Sequence, residues 1–234
     1  MKKQLLHTPE GVRDIYNEEC EKKLLLQSDL LGILKGYGYH PIQTPTFEFF
    51  DIFGKEIGTT PSKELYKFFD REGNTLVLRP DMTPSIARAA AKYFMDEDMP
   101  IRLCYVSNTF INVSKYYQGR LKESTQLGAE LIGDSTVDAD AEILSMTVEC
   151  LQKAGLKDFQ LSVGHADFFQ GLVEAAGISE EDEEELRELL ANKNFFGVEE
   201  FAETLNLKAE LNELFHMLGS LNVDLNDLKR AKEA

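Results

Sequence analysis

Two strand-like segments on either side of a polar loop constrain the fold of this chain more than any other feature. Residues 101–110 (IRLCYVSNTF) and 124–132 (STQLGAELI) read as strands, and the polar residues 112–122 join them. This arrangement predicts a long antiparallel hairpin. A shorter hairpin is predicted over residues 65–79, where a Gly-Asn pair supplies a tight turn.

Helical patterns surround these hairpins. Leucines recur at near-helical spacing within residues 17–35, and glycines and a proline follow where that helix should end. Residues 83–95 are rich in alanine, and Thr83 is predicted to cap the helix that they form. Two more helices are predicted over residues 138–154 and 166–177, with a strand at 159–165 between them.

The character of the sequence changes after residue 178. Ser179 is placed to cap a helix, and acidic residues fill the first turn after it. From there on we find no convincing strand, and helices are predicted over residues 180–191, 198–204, 207–218 and 224–234. We therefore predict an α+β domain over residues 1–178 and a helical, incomplete insertion over residues 179–234.

The charge of the chain bears on its partners. The formal net charge is −16, and seven of the nine residues in 180–188 are acidic. Nucleic-acid binding requires lysine and arginine against the phosphates, so this balance weighs against a nucleic-acid partner. The acidic run itself is interpreted as a solvated helix face.

The cysteines and the hydropathy of the sequence indicate in which cellular compartment the protein is expected. Cys20, Cys104 and Cys150 are widely spaced and form no C-x-x-C pair. Neither a zinc site nor a disulfide framework is predicted, and we expect no other metal and no cofactor. A reduced cytoplasmic compartment fits best. No apolar run approaches the length of a membrane span, and the N-terminus lacks a signal peptide's apolar region, so no membrane association is expected.

Three segments, taken in order, resemble the core of the class II aminoacyl-tRNA synthetases. They are TPEGVRDIY with the long helix and GYGYHPIQTPTFE, then LRPDMTPSIAR, then VSNTFINVSKYYQGRLKESTQLGAELIG. The first is similar to motif 1, the dimer interface, and the third to motif 2, the ATP-contacting hairpin. Specifically, they resemble histidyl-tRNA synthetase and its paralogue, the regulatory subunit of ATP phosphoribosyltransferase, and VGHADFFQGLVEAAGI is more similar to the paralogue. The resemblance implies an antiparallel class II sheet flanked by helices, followed by a helical insertion.

The resemblance also implies that amino-acid activation is lost. Motif 2 of the synthetases has an arginine directly after a phenylalanine, and here the pair is Phe110-Ile111. Isoleucine can neither carry charge nor donate a hydrogen bond to the ATP phosphates, where such a clamp stabilises the transition state. Two further family arginines correspond to Arg120 and Lys122, the residual ATP-site positions, and lysine lacks the planar fork of arginine. Ser124 stands where the family has an aromatic residue.

The amino-acid pocket is better kept. By resemblance, Asp81 and Thr83 lie where the synthetase contacts histidine, and Gln126 and Glu130 match residues that face the ligand's carboxylate and ammonium. An ammonium favours carboxylates and hydroxyls, and a carboxylate favours amide donors. The even spacing of Gln126, Gly128 and Glu130 puts them on one face of a strand. We therefore predict a histidine-binding site; the alternative is that these residues satisfy one another in an empty cleft.

Parts of the family pattern are altered or missing. The loop INVSKYYQGR is one residue longer than the family loop, which leaves Asn112 and Lys115 as alternative substitutes for the lost arginine. The Arg-Gly-Leu-Asp-Tyr-Tyr string and motif 3 have no counterpart, and the chain stops at DLNDLKRAKEA within a helical pattern. We expect a truncated chain, part of a longer protein, in which motif 1 still supports dimerisation while the complete pocket needs the missing part.

Together these features imply a non-catalytic regulatory subunit of short-form ATP phosphoribosyltransferase, the first enzyme of histidine biosynthesis. Such a subunit would bind the short catalytic subunit, enable its activity, carry feedback inhibition by histidine and dimerise through the motif 1 region. Two alternatives stay open. One is an active histidyl-tRNA synthetase, and the other is a non-catalytic paralogue that binds tRNA.

Overall fold

The computed structural model describes residues 6–53, 60–112, 121–161, 163–164, 166–192, 194–205, 211 and 213–215. The chain divides into two compact units, Met1–Phe159 and Gln160–Ala234. Each has its own hydrophobic core, and each is described by itself below. None of the helices in the described ranges is long and apolar enough to cross a membrane.

The larger sheet of the first unit is built on the predicted long hairpin. Strand β5 (Ile101–Phe110) pairs with β6 (Glu123–Ile132) in an antiparallel ladder of ten residue pairs, which confirms the prediction. The short strand β1 (His40–Pro41) pairs with the other side of β5, giving the order β1-β5-β6. That pairing is parallel, so the sheet is not antiparallel throughout.

A second, smaller sheet contains the predicted short hairpin. Strands β3 (Lys67–Phe69) and β4 (Thr75–Leu78) are antiparallel, and β2 (Phe47–Phe49) pairs with the other side of β4. Gly73 has a positive φ of 86°, a conformation that glycine adopts at low cost in a tight turn. The Asp70 carboxylate accepts hydrogen bonds from both the backbone and the side-chain nitrogen of Asn74, which closes the turn.

Helices cover both faces of the larger sheet because neighbouring residues of a strand point to opposite sides. Helices α1 (Asn17–Gly36) and α3 (Val137–Lys153) pack on one face, where Leu34, Tyr39, Cys104 and Met146 form a core. Helix α2 (Thr83–Tyr93) packs on the other face, and its core residues are Met82, Ile86, Ile101, Leu103 and Tyr105. The predicted helices in these regions are confirmed within two residues at either end.

The second unit is helical, as predicted. It contains α4 (Ala166–Ala176), α5 (Glu180–Ala191) and α6 (Phe195–Thr204) around a core that includes Leu186 and Phe201. The Ser179 hydroxyl accepts the backbone N–H of Asp182, which confirms the predicted cap of α5. The helices predicted over 207–218 and 224–234 fall mostly or wholly outside the described residues.

Two features of this region differ from the sequence-based expectation. Residues 159–161 and 163–164 lie in no strand, so the strand predicted at 159–165 is wrong for the described part of that segment. The compact units divide at Phe159–Gln160 and not near residue 178. The reason is that Leu172 and Val173 of α4 are buried in the same core as α5 and α6, whereas the predicted boundary followed the loss of strand-like sequence.

Candidate functional site

Two hydrogen bonds connect the start of α2 with β6 and define the candidate site. The Thr83 hydroxyl donates to Glu130 Oε1 at 2.8 Å. The Gln126 side-chain amide donates to Asp81 Oδ1 at 3.0 Å. The four residues that the sequence predicts as a histidine site are therefore brought together, although they are more than 40 residues apart in pairs.

The register of the hairpin aligns this set. Gln126, Gly128 and Glu130 alternate along β6, and their partners on β5 are Ser107, Tyr105 and Leu103. Tyr105 lies across from Gly128, is buried, and directs its hydroxyl toward Glu130 Oε1 at 3.5 Å. That distance is at the limit of a hydrogen bond, so the Thr83 hydroxyl is the stronger partner of Glu130.

Thr83 does not have the role predicted for it in the helix. The N-cap position of α2 is Met82, no side chain caps this end, and Thr83 is the first helical residue. The predicted cap is therefore wrong. The reason is that the helix begins one residue earlier than the prediction requires, so Thr83 lies inside the first turn, and its hydroxyl donates to Glu130 across the cleft. At the same turn Asp81 Oδ1 accepts the backbone N–H of Met82 at 2.7 Å.

The site is rich in acceptors and negative charge. Burial raises the pKa of the Glu130 carboxyl above its ordinary value, and the negative charge of Asp81 raises it further, while the hydrogen bonds from Thr83 and Tyr105 oppose the shift. Within the described residues, the buried Oε1 of Gln126 has no hydrogen-bond partner. Two carboxylates and an unpartnered carbonyl oxygen therefore converge, an arrangement that favours a ligand with cationic N–H donors.

A cavity of about 290 Å³ opens beside this set. Thr83 and Glu130 line it where it meets the polar residues. The rest of the lining is apolar and comes from α2, the segment after it and the ends of the hairpin: Ile86, Ala87, Ala90, Ala91, Met95, Met99, Ile101 and Ile132. The volume is close to that of a pocket for a small molecule.

The two residual ATP-site positions have different outcomes. Arg120 lies outside the described residues. Lys122 lies where β6 meets the loop that joins the two strands, and there its backbone N–H donates to the Gly11 carbonyl at 2.7 Å and its carbonyl accepts the Ile111 N–H at 2.9 Å. Its side chain lies against Gly11, since a Cβ on residue 11 would come within 2.7 Å of Lys122 Cγ.

Sequence reasoning did not identify Tyr105 as part of the site. The signal was present, because once the hairpin register is known, residue 105 lies opposite residue 128. A Cβ on Gly128 would lie 2.4 Å from the Tyr105 hydroxyl oxygen, so the absence of a side chain at position 128 makes room for the phenol.

Comparison with known proteins identifies the family. The family model described as "Histidyl-tRNA synthetase" matches residues 11–234. The chain is 39% identical over 234 residues to the ATP phosphoribosyltransferase regulatory subunit of Ruminiclostridium cellulolyticum, covering 100% of this chain and 56% of that protein. It is 41% identical over 212 residues to the same subunit of Acetivibrio thermocellus, covering 89% and 50%. The chain thus spans about half the length of these curated relatives.

Solved structures agree with this assignment and with the predicted fold class. The crystal structure of an ATP phosphoribosyltransferase regulatory subunit/histidyl-tRNA synthetase from Bacillus halodurans superposes with a TM-score of 0.86 at 34% identity, covering 98% of this chain and 59% of that one. Apo histidyl-tRNA synthetase from S. aureus gives a TM-score of 0.54 at 30% identity, covering 65% and 40%. The α+β, class II synthetase-like fold is therefore confirmed, and the chain belongs to the histidyl-tRNA synthetase family.

Proposed function

We propose that this chain is part of a non-catalytic regulatory subunit of short-form ATP phosphoribosyltransferase, and that histidine binds at Asp81, Thr83, Gln126 and Glu130. The observation that carries the proposal is the convergence of acceptors beside a cavity that Thr83 and Glu130 line. The chain is also similar along its whole length to a subunit with that name. The chain spans about half the length of those relatives, so the full regulatory activity is proposed for a protein of their length.

The geometry supports recognition of an amino acid through its ammonium. Asp81 Oδ1 already accepts from Met82 and Gln126, so the unpartnered Oε1 of Gln126 supplies an acceptor, and the negative charge of the Asp81 carboxylate supplies the attraction. Glu130, held by Thr83, is available to a second N–H donor of the ligand. Binding of a cation would lower the pKa of Glu130, because the positive charge favours its ionised form.

The non-catalytic assignment is supported by the residues of the motif 2 hairpin. Adenylation concentrates negative charge on the ATP phosphates and needs cations there. Ile111 occupies the arginine position by resemblance, and its neighbour Lys122 has its side-chain stem over Gly11. Ser124, in place of an aromatic residue, has its hydroxyl 3.0 Å from that of Thr109, so this position bonds to the hairpin itself.

Partners follow from the proposed role. A short catalytic subunit would be the hetero-oligomeric partner, and histidine would inhibit by binding one state of that assembly more tightly than another. A self-dimer would use the motif 1 region, where β2 exposes Phe47 and Phe49 and α1 exposes Leu24 and Leu25. The unpaired cysteines Cys20, Cys104 and Cys150 are consistent with a reducing cytoplasm.

The decisive experiment uses the full-length protein that contains this chain. It is mixed with the short catalytic subunit from the same organism, and phosphoribosyl-ATP formation is followed with and without histidine. We expect activity only in the mixture and suppression by histidine. Asp81→Asn should weaken suppression by about tenfold in histidine concentration, as expected for loss of one charge-assisted contact. Asp138→Asn, an exposed aspartate at the start of α3, is the matched control and should behave as the unsubstituted protein.

The alternatives are tested on the same sample. An active histidyl-tRNA synthetase would catalyse histidine-dependent ATP–pyrophosphate exchange. A tRNA-binding paralogue would bind tRNA with an affinity that falls steeply with salt. A mixture that behaves like the catalytic subunit alone would overturn the proposal, and a positive result in either tRNA-related assay would then identify the replacement.

A further inference from the structure

Arg79 is a buried arginine with an unusual set of partners. It is 5% exposed, and within the described part of the chain its side-chain hydrogen bonds all go to backbone carbonyls. Nε donates to the Asn108 carbonyl at 2.8 Å, and Nη1 donates to the carbonyls of Thr44 and Pro45 at 2.9 and 3.0 Å. Burying a charge costs free energy unless the charged group is hydrogen-bonded, and these three contacts offset that cost for Arg79.

The backbone of Arg79 makes the same connection as its side chain. Its N–H donates to the Thr46 carbonyl at 3.1 Å, and its carbonyl accepts the Phe110 N–H at 2.9 Å. The segment before β2 and the end of β5 are thus both bonded to one residue at the end of β4. Arg79 is therefore a residue at which the smaller sheet and the larger sheet are joined.

An ion-pair role does not explain Arg79. The neighbouring carboxylate is Glu48, and its Oε1 accepts from Arg88 Nη2 at 2.7 Å and from Arg88 Nε at 3.1 Å. Arg88 thus supplies the ionic link between α2 and β2. The guanidinium of Arg79 instead orients three carbonyls, a task for which its planar fork of donors is suited.

Arg79 lies close to two residues of the candidate site, Asp81 and Gln126. Only Pro80 separates it from Asp81, whose Oδ1 is held by the Met82 N–H and by Gln126. On the other side, Arg79 bonds to Asn108, next to Ser107, the cross-strand partner of Gln126. Arg79 therefore constrains both the segment that carries Asp81 and the strand pair that carries Gln126.

We propose that Arg79 is a positioning residue of the ligand site: it sets the placement of the Asp81 carboxylate over Gln126 and thereby the affinity for the ammonium of a bound amino acid, without touching the ligand. This rests on the proposed histidine site. Because Arg79 acts only on the ammonium end of the site, its loss should lower the affinity for ligands that carry an ammonium. The affinity for ligands that lack an ammonium should not change.

The test measures binding to the full-length protein by titration calorimetry. The ligands are histidine and its deamino analogue, imidazolepropionate, and the variants are Arg79→Met and Arg79→Lys. We expect Arg79→Met to lower the affinity for histidine by about tenfold, because one charge-assisted contact would be misplaced. The affinity for imidazolepropionate should stay unchanged. Arg79→Lys should recover part of the histidine affinity, since an ammonium can still donate to some of the three carbonyls.

Arg102→Met is the matched control. Arg102 is a partly buried arginine of β5 that bonds bidentately to Glu142 of α3, on the face of the sheet away from the site. Its loss should lower thermal stability and leave both ligand affinities unchanged.

Three outcomes would count against the inference. Unchanged histidine affinity in both Arg79 variants would overturn it and leave the proposed function standing. Equal weakening of both ligands would show a general structural effect and would also overturn it. If the unsubstituted protein binds no histidine, both proposals fail together. Should Arg79→Met not fold, Arg79→Lys decides, because its loss must still be confined to histidine.

Discussion

Gly128 lies directly across the β5–β6 ladder from Tyr105, and the phenol occupies the space that a side chain at position 128 would need. A Cβ there would lie 2.4 Å from the hydroxyl oxygen and 2.6 Å from the ring carbon that bears it. Tyr105 is buried against the core under α2, so the ring has little room to move away. This pair links the packing of the sheet to the site, because the same hydroxyl is directed at Glu130.

Gly128→Ala should therefore destabilise the protein by about 1–3 kcal/mol, the usual cost of overpacking a core. Urea unfolding would measure the change in the free energy of unfolding. In the double variant Gly128→Ala/Tyr105→Leu the cost should be less than the sum of the single changes, since the shorter side chain frees the space. Gly32→Ala in α1 is the control. It meets no atom within 4 Å and should stabilise by up to about 1 kcal/mol through helix propensity. Additive single effects at 105 and 128 would contradict the proposed overlap.

The pKa of Glu130 predicts a specific dependence of stability on pH. Because the folded state raises this pKa above its ordinary value of 4.5, the folded protein holds the proton more tightly than the unfolded chain. The contribution of Glu130 to stability is therefore favourable at acidic pH and is lost as pH rises from the ordinary value through the folded one. Glu130→Gln should remove this slope. Urea unfolding of both proteins between pH 4 and 7 would show it, with Glu97→Gln, an exposed glutamate, as the control. If the Glu130→Gln variant kept the original pH dependence of stability, that dependence would come from a group other than Glu130.

Glu142 should contribute with the opposite sign. Its carboxylate accepts two hydrogen bonds from Arg102 at 2.9 Å each and one from the buried Tyr39 hydroxyl at 2.9 Å. The hydrogen bond from Arg102 is the main reason that the pKa of Glu142 is lowered. Its contribution is present above the unfolded-state pKa and is lost as pH falls through the folded one. Glu142→Gln should lower the free energy of unfolding at pH 7. At acidic pH the free energies of unfolding of the variant and the unsubstituted protein should be closer together, and the same urea experiment would measure both. Tyr39→Phe should cost about 1 kcal/mol through the lost hydrogen bond.

Loss of a helix cap should destabilise only the compact unit that contains the helix. Ser179 accepts the Asp182 N–H at the start of α5, and Thr136 accepts the Ala139 N–H at the start of α3. Each change to alanine should cost about 1 kcal/mol in its own unit. Hydrogen exchange would show this as faster exchange in α5 for Ser179→Ala and in α3 for Thr136→Ala. Equal acceleration in both helices by either change would contradict the division at Phe159–Gln160.

Several elements could be predicted because their signals are local. The β5–β6 hairpin, α1, α3 and the Ser179 cap each follow from residue spacing or a single capping residue. The strand predicted at 159–165 failed because a short apolar run takes its form from what it packs against. The role of Thr83 was also out of reach of local rules, since its hydroxyl donates to Glu130, which is 47 residues away in the chain.

The sequence by itself determined the hairpins, the order of helices, and the family, because motif residues and periodicity are carried by neighbouring positions. It also supplied the four candidate residues Asp81, Thr83, Gln126 and Glu130 through resemblance. Only the tertiary structure decided how they pair, that Tyr105 joins them opposite Gly128, and that Arg79 joins the two sheets behind them. The physical reason is that register, burial and hydrogen-bond partners depend on residues far apart in the chain, and these distances exist only once the sheet and α2 have packed together.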